Sequence, residues 1–211
     1  MKRLLRGKVW LGGLVAAYWA LGLTFRGPRK QFWNRMTLAG LSLGSLSLAA
    51  RPQLRTTRVG PRDMAVGLGS AAGLYIMFQV GDRLARVIMP KGASEIDDIY
   101  RLQTLGSHGD LAVRLVTIIG PAEELFWRGL VQGSLMDAFG KPVGTVLGTA
   151  VYGGAHLVTG NLTLIGAALA AGAYWGGLYT AGVPMGALIV SHAAWDVFIF
   201  LIAPTVQSEG R

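Results

Sequence analysis

Three short clusters of ionisable residues interrupt otherwise apolar sequence: Pro121-Ala122-Glu123-Glu124-Leu125-Phe126-Trp127-Arg128-Gly129, Val151-Tyr152-Gly153-Gly154-Ala155-His156 and His192-Ala193-Ala194-Trp195-Asp196. On a helix, Glu124 and Arg128 are four apart and can pair on one face. Glu123 is turned about 100° from Glu124 and does not share that partner equally. One carboxylate is held by the arginine while its neighbour stays available, an arrangement that can yield a usable general base. A buried ion pair fixing helix register accounts for Glu124 and Arg128, but not for Glu123. His192 and Asp196 also share a helical face, and an aspartate there can fix the tautomer of the imidazole or hold it charged. A lone intramembrane histidine often serves only as a hydrogen-bonding link between helices. The chain has three histidines, however, and two of them lie in apolar runs in the half that holds the paired glutamates. Together these residues predict a single site.

The elements that must position them are membrane helices. Of 211 residues, 52% are hydrophobic and 15% charged, and the mean hydropathy is +0.44. That is too little polar surface for an ordinary soluble domain, where about 25% is charged. Disorder is excluded by the same hydrophobicity. Runs near 9–25, 36–50, 64–80, 111–135, 142–158, 162–181 and 184–203 approach the roughly 17–25 apolar residues a bilayer helix needs. The expectation is an all-α polytopic transmembrane helix bundle with about seven spans (six to eight) in a single domain, 1–211. The first run follows MKRLLRGK, but Tyr18 and Trp19 crowd a cleavage position, so it is expected to stay as a helix. Ionisable groups at membrane depth cost about 2.5–3.5 kcal/mol each on insertion scales, so each one needs a reason.

The net charge of +9 does not form one basic face. Lys2, Arg3, Arg6 and Lys8, then Arg26, Arg29, Lys30 and Arg35, then Arg51, Arg55, Arg58 and Arg62 sit between apolar runs, as headgroup-facing loops do. The partner they imply is the lipid bilayer, and no nucleic-acid partner is expected. Alternate loops carry nearly equal Lys and Arg, so the positive-inside rule gives no orientation. With no cysteine there is no thiolate nucleophile and no disulfide. The segment 81–110 is expected to be a polar, interfacial connection. Within it, Ser94-Glu95-Ile96-Asp97 resembles a capping box that starts a short amphipathic helix, lying in the interface or acting as a lid over the site. Gly144, Gly148, Tyr152 and His156 recur every four residues, a small-residue stripe that admits a close neighbouring helix.

In order and spacing, Glu-Glu-x-x-x-Arg at 123–128, Tyr-x-x-x-His at 152–156 and His-x-x-x-Asp at 192–196 resemble the three motifs of the CPBP family. That family holds the type II CAAX prenyl endopeptidases and the bacteriocin-processing and immunity proteins. The resemblance covers about 110–200. It implies a multi-pass membrane endopeptidase (in a bacterium, in the cell membrane) that hydrolyses a peptide bond without a covalent intermediate. Glu123 would take a proton from water, His156 would position that water or shuttle the proton, and His192 with Asp196 would serve the oxyanion. Glu124, Arg128 and Tyr152 would support the site. Tyr152 stands where the family commonly has Phe, and Asp196 where the prenyl endopeptidases have Asn. The substrate class is a peptide or protein at the membrane: prenylated tails, leader peptides and membrane-protein stubs all fit. No cofactor and no metal are expected. Two His and a Glu are a legitimate zinc set, but the spacing is not His-Glu-x-x-His. Ser134 and Ser191 lie near the motifs without a nucleophile elbow. The alternative class is non-enzymatic: a proton- or ion-coupled carrier, or an idle peptide-binding or immunity scaffold.

Overall fold

The computed structural model describes residues 2–89 and 91–204, with side chains from residue 9 onward. The basic side chains of Lys2, Arg3, Arg6 and Lys8 therefore lie outside the described residues. All regular structure among the described residues is helical, in agreement with the all-α expectation. A helix stands at each predicted apolar run: α1 (Lys2–Arg26), α2 (Phe32–Ala50), α3 (Pro61–Ile88), α5 (108–139), α6 (Lys141–Ala155), α7 (Leu162–Thr180) and α8 (Met185–Ile202). The short α4 (Gly92–Tyr100) lies between α3 and α5. Four segments are long and apolar enough to cross a membrane by length and composition: Val9–Arg26, Pro61–Ile88, Leu162–Thr180 and Met185–Ile202. The expectation of seven spans adds α2, α5 and α6 to these four. Short connections make neighbouring helices antiparallel, with α1 beside α2, α6 beside α7, and α8 along α3.

In a bilayer, helices associate through close packing rather than hydrophobic exclusion, so small residues decide where they meet. The stripe on α6 does this. A Cβ at Gly144 would collide with the Met136 backbone, and one at Gly148 would come within 3.0 Å of Gln132. Both contacts are on α5, and they set α6 beside the helix that carries the glutamates. On α5 itself, Gly120 lets α8 approach: a Cβ there would stand 3.2 Å from Ala193 Cα, next to His192. The helix α5 is not uniform, because Leu115–Ile119 and Glu124–Gln132 are π-helical. Pro121 supplies a local cause for the first stretch. It lacks an N–H and its ring crowds the carbonyl four residues earlier, and the Gly120 amide bonds back five residues, to Leu115. The glutamate pair straddles the start of the second stretch, a feature that recurs at functional sites.

The predicted connection 81–110 is corrected at its start, since α3 continues through Ile88. The capping-box reading of Ser94 is also corrected. The helix begins at Gly92, and the Ser94 hydroxyl donates to the Lys91 carbonyl at 3.0 Å instead of capping. Polar ties strap the segment to the bundle. Arg86 reaches Asp97 at 3.3 Å, Arg29 donates to the Asp98 carbonyl at 3.0 Å, and Trp33 Nε1 donates to the Leu102 carbonyl at 2.8 Å.

Candidate active site

The three motifs converge on one cavity of about 450 Å³, lined by Glu123, Tyr152, His156, His192 and Asp196 at its polar end. The rest of the wall is largely apolar, with Phe32, Trp33, Phe78, Ile96 and Phe200 among the side chains that build it. The packing just described explains the convergence: Gly120 brings α8 to the glutamates, and Gly144 with Gly148 brings α6.

At the centre, Glu124 and Arg128 are buried together, 0% and 1% exposed. Arg128 Nη1 lies 3.0 Å from Glu124 Oε1, the i,i+4 pair expected from sequence. Arg128 Nη2 donates to the Ala171 carbonyl at 3.4 Å, and the guanidinium lies over the Tyr152 ring at 4.6 Å. The same Glu124 Oε1 accepts from His192 Nδ1 at 2.7 Å. The hydrogen bond that orients His192 therefore comes from Glu124 on α5. Asp196, the partner expected from spacing, lies 3.7 Å from Nε2, on the opposite edge of the ring. That Nε2 edge faces Glu123 Oε2 at 3.9 Å as well.

Glu123 is set apart from the ion pair, as its rotation on the helix predicts. Its Oε2 accepts from the Tyr152 hydroxyl at 3.3 Å. Tyr152 thus places a donor on Glu123 that a phenyl ring could not supply. His156 Nδ1 donates to the Tyr152 carbonyl at 2.9 Å, which fixes the neutral tautomer with Nε2 as acceptor. The Tyr152 and His156 rings meet edge to face at 5.0 Å. Ser191 is fully buried and accepts from Trp175 Nε1 at 3.0 Å while donating to Ser70 at 3.0 Å. No group of three or more His, Asp or Glu side chains among the described residues is arranged to hold a metal ion.

Two contributors were not singled out as site residues in the sequence. Trp175 stacks on His192, and its only sequence signal is a tryptophan set between Gly172 and Gly176. Glu95, one wall of the cavity's outer end, caps a helix other than its own. Its Oε2 accepts from the Thr163 amide at 2.8 Å and the Thr163 hydroxyl at 2.7 Å, at the start of α7. Asn161 donates to the Glu95 carbonyl at 2.9 Å, completing the tie. Burial alone would raise the Glu95 carboxyl, but the bonds from Thr163 and the Leu162 amide outweigh it and hold the pKa below its ordinary value. A depressed carboxylate stabilises docking fully above the unfolded pKa of about 4.3, and that contribution is lost as pH falls through the lower folded value. A spin label on an engineered cysteine at exposed Ala93 should keep constant mobility from about pH 8 to 5 and loosen only below about 4. In a Glu95→Gln chain it should be loose throughout. Equal mobility in the two chains at pH 7 would remove Glu95 as the tether of α4.

The family model described as Type II CAAX prenyl endopeptidase Rce1-like matches residues 110–198. Over this segment the chain is similar to that family. The match begins near the start of α5 and ends inside α8, so it takes in all three motifs and bears out the resemblance drawn from them. The Rce1-like segment and the four apolar helices make this a membrane protein. No curated protein and no solved structure matches the chain.

Proposed function

We propose that the chain is a multi-pass membrane endopeptidase in which a glutamate and a histidine activate the water that hydrolyses a peptide bond. The observation that carries this reading is a division of labour between adjacent carboxylates. Glu124 is committed to Arg128 and His192, whereas Glu123 has one oxygen held by Tyr152 and faces the cavity. Glu123 Oε1 would take the proton from water, and His156 Nε2, its other nitrogen fixed, would position that water or relay the proton. The His192 Nε2 edge would donate to the developing oxyanion, a contribution often worth about 3–4 kcal/mol. Because Glu124 orients the ring, Asp196 is free to act beside Nε2, as a second donor when it carries a proton. The apolar wall suits a substrate presented from the membrane: a prenylated tail, a leader peptide or a membrane-protein stub. The single domain has its chemistry in about 110–200, with the 81–110 segment roofing the cavity.

The test compares the peptides and new protein termini in membranes holding the wild-type chain, a Glu123→Gln chain, or the wild-type chain after prolonged incubation with a zinc chelator. Products that depend on Glu123 and persist after chelation support a metal-free glutamate–histidine hydrolysis. Loss on chelation, restored only by zinc, would convert Glu123, His156 and His192 into ligands. No Glu123-dependent products, together with proton or ion flux in proteoliposomes, would favour the carrier class.

Tyr152→Phe isolates the hydroxyl, because the ring contacts with Arg128 and His156 survive. Turnover should fall about 10- to 100-fold with KM unchanged, as expected from the roughly 1.5–3 kcal/mol of one hydrogen bond to a charged group. An unchanged rate would mean that the hydroxyl does not position Glu123.

A further inference from the structure

Among the described residues, one hydrogen bond orients His192, from Nδ1 to Glu124 at 2.7 Å. A single bond of this kind leaves the ring plane free to swing, since the outer torsion of histidine is broad and nearly two-fold. The position of the Nε2 edge therefore needs a second constraint. Trp175 supplies a surface for it: the indole and imidazole centroids lie 4.0 Å apart with an interplanar angle of 16°. Trp175 is 0% exposed and His192 3%.

We propose that Trp175 is a positioning residue that fixes the plane of His192 and so aims Nε2 into the cavity. The indole is itself pinned to the helix that carries the imidazole. Its Nε1 donates to Ser191, the residue before His192, and Ser191 donates to Ser70 on α3. The other elements of the site close a circuit around it. Arg128 lies 5.2 Å from the Trp175 ring and pairs with Glu124, which accepts from His192, which stacks back on Trp175. Three helices, α5, α7 and α8, are thus locked together at one imidazole. A residue that only filled space here would need neither a parallel alignment nor a hydrogen bond to the neighbour of the residue it faces. The effect on turnover rests on the peptidase reading, whereas the effect on the ring does not.

The two can be read separately, because the chain has only three histidines and the ring nitrogens of ¹⁵N-histidine-labelled protein can be assigned. In the full-length wild-type chain, His192 should give distinct, sharp Nδ1 and Nε2 resonances. In Trp175→Leu they should broaden or merge through exchange while those of His156 stay in place, and Trp175→Phe, which restores a stacking face, should recover them. Ser191→Ala, which frees the indole without touching His192, should broaden them partly. On Glu123-dependent peptides, Trp175→Leu should lower kcat on the order of 10²-fold with KM within about twofold, the cost expected of a misaimed group. The Phe form should regain most of that loss. Sharp, unshifted His192 resonances in folded Trp175→Leu would reduce Trp175 to core packing. If that variant does not fold, sharp resonances in Ser191→Ala would do the same. If no Glu123-dependent peptides exist, the peptidase reading fails while the resonances still decide the positioning.

Discussion

Glu123→Gln is expected to fold as the wild-type chain does and to lose about 10³-fold in turnover, within the range that removal of a general base produces. The amide is isosteric with the carboxylate, and its oxygen can still accept from the Tyr152 hydroxyl. The Glu123 side chain is 17% exposed and lies at the cavity wall, so the change leaves no buried charge without a partner. Its neighbour differs in each of these respects: Glu124 is wholly buried and joined to both Arg128 and His192. The measurement is a pair: thermal unfolding in detergent for the fold, and product formation for the chemistry. Near-normal turnover in Glu123→Gln would move the general base to another group, with Asp196 the first candidate because it lies on the same edge of His192.

Periodicity made part of this arrangement legible and left part of it dark. Apolar run length located the seven longer helices. Spacing of four paired Glu124 with Arg128, and the glycine stripe marked the face of α6 that meets α5. All three are properties of one helix at a time. The partner of His192 is not such a property. Asp196 shares its helical face, yet the orienting bond comes from Glu124, 68 positions away in sequence. Which of two nearby carboxylates reaches Nδ1 depends on how far α8 slides along α5, and that is set by the Gly120–Ala193 contact. Trp175 was hidden for the same reason, since a stack between α7 and α8 leaves no period in either stretch of sequence. Glu95 was hidden as well: the capping-box pattern drew on Ser94 and Asp97, whereas the amide that Glu95 satisfies belongs to α7. The cost of leaving any helix N-terminus unsatisfied is general, and the identity of the capping side chain follows from tertiary packing.

Arg128→Met should be among the most destabilising single changes in the chain, at about 3–5 kcal/mol. Arg128 neutralises a buried carboxylate, and Glu124 Oε2 has no hydrogen-bond partner among the described residues. Methionine preserves much of the volume, so the loss measures the uncompensated charge more than a cavity. Glu124→Gln should also destabilise, because it leaves the guanidinium buried and weakens the bond to His192. The informative variant is the double change. Replacing both members of a buried ion pair is often close to neutral, so Glu124→Gln/Arg128→Met should cost less than the sum of the two single changes. It should not return to wild type, because the imidazole loses a charged acceptor in both the single and the double glutamine forms. The residual deficit therefore reads the Glu124–His192 bond, at about 1.5–3 kcal/mol for a hydrogen bond to a charged group. Unfolding in detergent across the four chains gives every term of this cycle. Additive losses would mean that Glu124 and Arg128 act independently, and the ion pair would no longer explain why the glutamate beside Glu123 is buried.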